Sequence, residues 1–179
     1  MANLVHKEIK EDPVLVCADT CTVQTHANRT IVNGKLFTGV LFSLSNSSDT
    51  LFTCAYTDGF KNGKERIYYP DKQIQWERFY DHGMKTGTHS GYRPDGSLKY
   101  QYHFKQDETE GSGREWFANG QLYMDMHYKH GKESGQQTMY YANGKIRSNY
   151  IMQNNRRYGL LGTKNCSPVS VVDTVGLQQ

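Results

Sequence analysis

Cys17 and Cys21, four residues apart, come nearest in this chain to a spacing with chemical consequences. A Cys-x-x-x-Cys phrase is open to three readings: a metal or redox centre, since thiolates accept copper(I) and zinc, a structural disulfide, or a pair of inert thiols. Zinc would need two further ligands, and none stands at zinc-site spacing. With Cys54 and Cys166 the chain holds four cysteines, which allow three pairings if all are oxidised. An oxidising compartment would favour the disulfide. Cys54 shares a column of inward-facing strand residues with Tyr102 and Met126, and reads as core packing.

The other candidate groups read as structural. His103 and His127 occupy equivalent strand positions two strand spacings apart, roughly 9.5–10 Å, too far for shared chelation at a Zn–N distance near 2 Å. They are expected to face solvent, as are His82 and His130 in turns. Asp107, Glu108 and Glu110 make an acidic turn without the ligand spacing of a calcium loop, and read as solvated. No carboxylate pair for acid–base work, nucleophile elbow, phosphate loop or His-Glu-x-x-His helix is present. The expectation is a non-enzyme with no catalytic residue, no cofactor and no confident metal site. What remains is aromatic: Trp76, Tyr92, Trp116 and Tyr140 are the natural partner-binding candidates, although in a thin sheet such rings also stabilise neighbouring strands.

The elements that carry these residues are set by a repeat. Gly39, Gly63, Gly87, Gly111, Gly135 and Gly159 stand 24 residues apart without a slip. With Gly at 17 of 179 positions, such a register arises by chance about once in fifty thousand trials, so the period is a repeat signal. Tyr68, Tyr92, Trp116 and Tyr140 follow it, as do Ile74, Leu98, Leu122 and Ile146, and Tyr56, Tyr80, Phe104 and Tyr128. So do Asp71, Asp95, Asn119 and Asn143. The last column lies in phrases such as Asp95-Gly96 and Asn119-Gly120, the strongest short-range hairpin signal. Downstream, Leu98, Tyr100, Tyr102 and Phe104 alternate with Ser97, Lys99, Gln101 and His103, the period of a strand with one apolar face.

A second, looser turn is expected to close each unit, from Asp58 to Gly63 and its equivalents, with the closing Gly in a left-handed or crowded position. The first copy, with Asn46-Ser47-Ser48-Asp49 at its turn, reads as one residue out of step. The predicted fold class is all-β: an elongated single-layer antiparallel sheet of about six tandem 24-residue hairpins. Residues 1–30 are expected to be an N-terminal capping segment with weak strand character at Val14-Val16, 31–160 the array, and 161–179 a C-terminal cap or tail.

Composition agrees with a thin sheet. Only 36% of residues are hydrophobic and mean hydropathy is −0.77, while 13 Tyr and 17 Gly suit half-exposed strands and tight turns. The net charge of +3 is mixed along the chain, so the basic footprint of a nucleic-acid binder is missing. No apolar run is long enough to span a bilayer, and no export signal opens the chain. The charged stretch His6 to Asp12 reads equally as the start of a mature exported protein. The expected compartment is therefore the periplasm or cell envelope if a signal has been removed, or otherwise the cytoplasm.

The unit Tyr140-Tyr141-Ala142-Asn143-Gly144-Lys145-Ile146, preceded by His130-Gly131-Lys132-Glu133-Ser134-Gly135, resembles the MORN-repeat variant of bacterial YwqK-type antitoxin proteins. Asn62-Gly63-Lys64-Glu65 leading to Tyr68-Tyr69-Pro70-Asp71, and Trp116 to Leu122, follow the same pattern. The resemblance covers roughly residues 31–160. It implies an elongated, single-layer antiparallel sheet and a role in protein or membrane-surface interaction; the antitoxin label implies a toxin as partner. The tail Tyr158 to Cys166 resembles the end of exported members in Bacteroidetes-like bacteria, which implies an envelope lipoprotein or periplasmic protein; an envelope protein is then the alternative partner to a toxin. Lys72 in place of the turn Gly, Arg66, and the acidic turn at 107–110 depart from the pattern and argue against one ligand site repeated in every copy. The primary expectation is a scaffold binding a protein partner. The alternative is an exported metal-handling or redox accessory using Cys17 and Cys21. Neither partner identity nor oligomeric state is legible.

Overall fold

Each 24-residue unit reverses the chain twice, and the two reversals are built differently. In a computed structural model, which describes residues 13–161, the strands are β1 (Leu15–Cys17), β2 (Val23–His26), β3 (Arg29–Val32), β4 (Lys35–Leu36) and β5 (Gly39–Leu44). There follow β6 (Thr50–Thr57), β7 (Phe60–Tyr68), β8 (Ile74–Asp81), β9 (Met84–Tyr92), β10 (Leu98–Lys105) and β11 (Glu108–Trp116). The last are β12 (Leu122–Lys129), β13 (Lys132–Tyr140), β14 (Ile146–Gln153) and β15 (Arg156–Leu160). Strands β5 to β15 lie side by side in chain order as one antiparallel run. The expectation of a wholly antiparallel sheet is corrected at one edge, where β1 pairs parallel to β5. The array is five hairpins and a final single strand, and β2–β4 form a separate small sheet.

The Asp/Asn column makes a three-residue turn. Lys72 donates its N–H to Tyr69 O (2.9 Å) and Tyr69 to Gln73 O (2.8 Å), and the third turn residue adopts a left-handed φ: 69° at Lys72, 79° at Gly96, 81° at Gly120 and 79° at Gly144. This is a type I turn closed by a bulge. The second turn residue explains the column, because its side-chain oxygen accepts the N–H two residues on: Gln73 to Asp71, Ser97 to Asp95, Gln121 to Asn119 and Lys145 to Asn143. The first copy is in step, since Ser48 at φ 63° occupies the place of Lys72. The sequence reading missed this because serines there replace the Asp-Gly pair.

The second reversal is the tighter one, which corrects the expectation of a loose turn. Asp58-Gly59, His82-Gly83, Gln106-Asp107, His130-Gly131 and Asn154-Asn155 each link two strands with both residues at positive φ, the two-residue turn whose twist matches the flanking strands. The periodic glycines are not part of it. Gly63, Gly87, Gly111 and Gly135 lie within β7, β9, β11 and β13, where the pairing register shifts against the preceding strand. They are bulge residues at left-handed φ, and a bulge bends its strand. Gly159 has no such shift around it, as β14 and β15 pair straight through.

Neighbouring hairpins are clipped together at both edges. On the tight-turn side Gly59 donates to Phe37 O, Gly83 to Lys61 O, Asp107 to Lys85 O and Gly131 to Thr109 O, at 2.8–3.0 Å. On the other side Tyr69 Oη donates to Tyr92 O (3.0 Å), an Arg93 guanidinium N–H to Trp116 O, and Asn119 Nδ2 to Ala142 O (3.2 Å). Asn119 thus holds its own turn and the next. Asn119→Ala is expected to lower stability by about 1–2 kcal/mol, two hydrogen bonds' worth, read as a shift in the urea midpoint with an unchanged slope.

The one apolar cluster among the described residues sits where the small sheet covers the start of the array: Val32, Phe37, Leu41, Cys54 and Tyr56, with Val16, Ala18, Cys21 and Phe52 against it. Residues 1–12 and 162–179, including Cys166 and nearly all of the predicted C-terminal cap, lie outside the described residues.

Candidate functional site

Directly paired residues of an antiparallel sheet share a face, so the two faces can be read strand by strand. The face carrying Leu41, Cys54, Glu65, His89, Tyr102, Met126, Gln137 and Tyr150, here called inner, holds nearly all of the buried side chains. The outer face carries a continuous polar row: Thr53, Arg66, Glu77, Ser90, Gln101, Arg114, Asp125, Thr138 and Asn149. Its charges neutralise each other locally. Arg66 Nη2 meets Glu77 Oε2 at 2.5 Å, with Lys64 Nζ on the same oxygen at 3.2 Å, and Arg114 Nε meets Asp125 Oδ1 at 3.1 Å.

The inner face is aromatic and unevenly charged. Tyr102 lies over Gly113: a Cβ there would fall 2.5 Å from its ring and 2.9 Å from that of Tyr128. Tyr102 Oη donates to Glu115 (2.6 Å) and Tyr150 Oη to Glu133 (3.1 Å). Towards the start of the array the face carries cations on rings instead. Lys61 Nζ is 5.0 Å from the Tyr80 centroid, Arg78 Cζ 4.1 Å from that of Trp76 and Lys85 Nζ 5.5 Å from that of Phe104. Lys61 also pairs with Glu65, a carboxylate only 3% exposed.

One inner column stitches the bulges, and the sequence reading missed it because its residues differ in every copy. The residue opposite each bulge is left without regular ladder partners, and in two copies a side chain supplies them. Gln137, fully buried, accepts from His127 N–H (3.1 Å) and donates to His127 O (2.8 Å). At the equivalent place His89 Nε2 donates to Phe79 O (2.9 Å). Burial, with Arg78 and Lys85 close by, holds the His89 imidazole below its ordinary value of 6.5 despite that bond. The unfolded chain therefore binds a proton that the folded chain resists. This contribution to stability is whole above about pH 6.5 and declines as pH falls from there towards the lower folded value. His89→Gln, which keeps the donor, is expected to remove that part of the decline between about pH 7 and about pH 5, as measured by urea midpoints across the range.

The sequence candidates are dispersed. Trp76 lies mid-strand on the inner face beneath Arg78. Tyr92, Trp116 and Tyr140 end β9, β11 and β13 along the three-residue-turn edge, paired with Leu98, Leu122 and Ile146. All four are half-buried, and Tyr92 borders an open depression of about 370 Å³ with Gln73, Ile74 and Gly96. Cys17 and Cys21 flank the 3-10 turn Ala18–Thr20 as free, half-buried thiols, the first 3.7 Å from Asp19 Oδ2 and the second 3.8 Å from Ala18 O. Among the described residues no three His, Cys, Asp or Glu side chains gather as a metal site. Cys54 is 1% exposed, and burial pushes its thiol up to about 12. His103 is half-buried and bonded to Thr88 Oγ1 at 2.9 Å, a correction to its expected solvent-facing role.

Residues 85–106, 109–130 and 133–154 match the family described as MORN repeat variant, and each match opens on the second residue of a strand and spans one two-strand unit. These three stretches are MORN-type repeats. No curated protein matches the chain. MORN repeats are a non-catalytic scaffold type that serves protein or membrane interaction. The copies before the matched ones share the bulge and the clipped turns, and bear in addition the cap and the Glu65–Lys61 pair.

Proposed function

We propose that this MORN-repeat chain is a scaffold that binds a protein partner on its inner face. The observation that carries the reading is the contrast between faces. Outer charges are spent on one another in cross-strand pairs, whereas the inner face of β8–β10 offers rings and cations with no carboxylate partner among the described residues. Aromatic and Arg side chains on a semi-rigid surface are the usual anchors of a protein interface. Trp76 would be the central anchor, with Tyr92, Trp116 and Tyr140 contributing along the turn edge. The resemblance to YwqK-type antitoxins makes a toxin the first partner to test, in the cytoplasm or, for an exported form, the envelope.

A photo-crosslinking amino acid placed at Trp76 or Tyr100 on the inner face, and at Gln101 or Arg114 on the outer, tests this in the native host. Adducts with one protein from the inner positions are expected. Adducts only from the outer positions, or none, would sink the reading; failure of the chain to relieve growth arrest by the captured protein would remove the antitoxin part alone.

A further inference from the structure

Arg78 and Lys85 share a small cavity on the inner face. It measures about 150 Å³ and is lined by these two cations together with His89, Tyr100, Tyr102 and Phe104. Bulk water occupies roughly 30 Å³ per molecule, so the space suits a few waters or one compact polar group. It is too small for a folded ligand and large enough for a carboxylate or a phosphate.

The two cations are placed by stacking. Arg78 lies over Trp76 and Lys85 over Phe104, and Trp76 pairs with Gly91 so that the neighbouring strand leaves room for the rings. A stacked guanidinium uses its flat face on the ring and keeps its N–H donors in the plane, free for bidentate bonds to an oxyanion. Elsewhere on the inner face Lys61 pairs with Glu65 and Arg157 with Glu133. Among the described residues neither Arg78 nor Lys85 has a carboxylate within 4.0 Å: Glu65, paired across the sheet with Arg78, is engaged by Lys61, and Asp107 accepts the Lys85 backbone N–H at 2.7 Å. Two uncompensated positive charges facing one aromatic-walled recess are the reverse of what self-packing favours.

We infer that the Arg78–Lys85 recess is an oxyanion-binding site, taking a carboxylate or phosphate group between the guanidinium fork and the ammonium. Arg78 supplies the paired donors and Lys85 the point charge. Tyr100 and Tyr102 wall the recess and set its width. Two cations are fewer than the four to eight that hold a chain on an anionic bilayer, so the site reads one group at a time. It goes beyond the scaffold reading, since it would hold a free anion as well as one borne by a macromolecule.

The test is a titration of the isotope-labelled full chain, at ionic strength fixed with sodium chloride, using inorganic phosphate and separately a tetraglutamate peptide. Saturable shifts of the Arg78 and Lys85 side-chain signals and of the Tyr100 ring are expected with at least one probe. Preference for phosphate would assign the site to a phosphoryl group, and preference for the peptide to an acidic segment. Arg78→Gln and Lys85→Gln should each weaken binding at least about tenfold, and Arg78→Lys less than Arg78→Gln. Arg114→Gln, on the outer face, should leave it unchanged. Lys85 is exposed, so its variant keeps the test valid if Arg78→Gln unfolds. Shifts that merely track ionic strength, or binding that survives Lys85→Gln undiminished, would overturn the inference.

Discussion

Replacing Gln137 with Leu is expected to destabilise the array by about 3 kcal/mol, among the largest effects of any single change outside the apolar cluster. Leu has nearly the same volume, so no cavity term enters. What is lost is the carboxamide that completes both backbone groups of His127 across the Gly135 bulge, and that also donates towards Ser134 O (3.2 Å) and Gly135 O (3.3 Å). A buried donor or acceptor left alone costs roughly 1–3 kcal/mol. Gln137→Glu should be worse than its size suggests, because a carboxylate accepts but does not donate and would be buried as a charge. The check is a urea unfolding series with hydrogen exchange at the His127 amide. Protection at His127 that survives in Gln137→Leu would show that the carboxamide is not the partner that matters.

The second large effect is expected at Gly113, which has an ordinary strand φ and is needed for space alone. Gly113→Val pushes its branches into the rings of Tyr102 and Tyr128. Tyr102 cannot retreat without giving up Glu115 and its packing against the Tyr128 ring, 6.1 Å between centroids. Overpacking and lost ring contact together are expected to cost about 3 kcal/mol. Because the damage passes through one ring, Tyr102→Ala in the same chain should recover part of it, a non-additivity that a double-mutant cycle measures directly. Strictly additive costs would rule out the clash as the cause.

The repeat, the strand alternation and the Asp/Asn turn column were legible because each is enforced at one position in every copy by backbone geometry. The tight turns were misjudged since no residue type marks them: Asp-Gly, His-Gly, Gln-Asp and Asn-Asn all accept the same left-handed pair. Their periodic glycine drew attention to the bulge three or four residues downstream. The inner stitching column was hidden for a different reason. At this position His89 and Gln137 bond back to the preceding strand, Glu65 pairs with Lys61 and Gly113 makes room for rings, so no column stands out. Arg78 and Lys85 were invisible as a pair because seven residues and a turn separate them, and only the pairing of β8 with β9 places them together.

The polar row on the outer face bears on how such an array avoids assembling wrongly. Adjacent copies of a repeat compete for the same neighbours, and misassembly between similar units is a characteristic failure of repeat proteins. Here the cross-strand pairs alternate: Arg66 with Glu77, then Ser90 with Gln101, then Arg114 with Asp125, then Thr138 with Asn149. Successive copies thus differ in the pair they demand, and the true period of the outer face is two hairpins. A strand that docks one copy too early sets Arg66 against Gln101 or Arg114 against Asn149 and strands a charge without its mate. Charged pairs four strands apart are separated by roughly 19 Å, beyond the screening length of about 8 Å at physiological salt, so each pair checks its own hairpin independently. The row is a proofreading device for folding, written in charge on the face that the proposed function leaves idle.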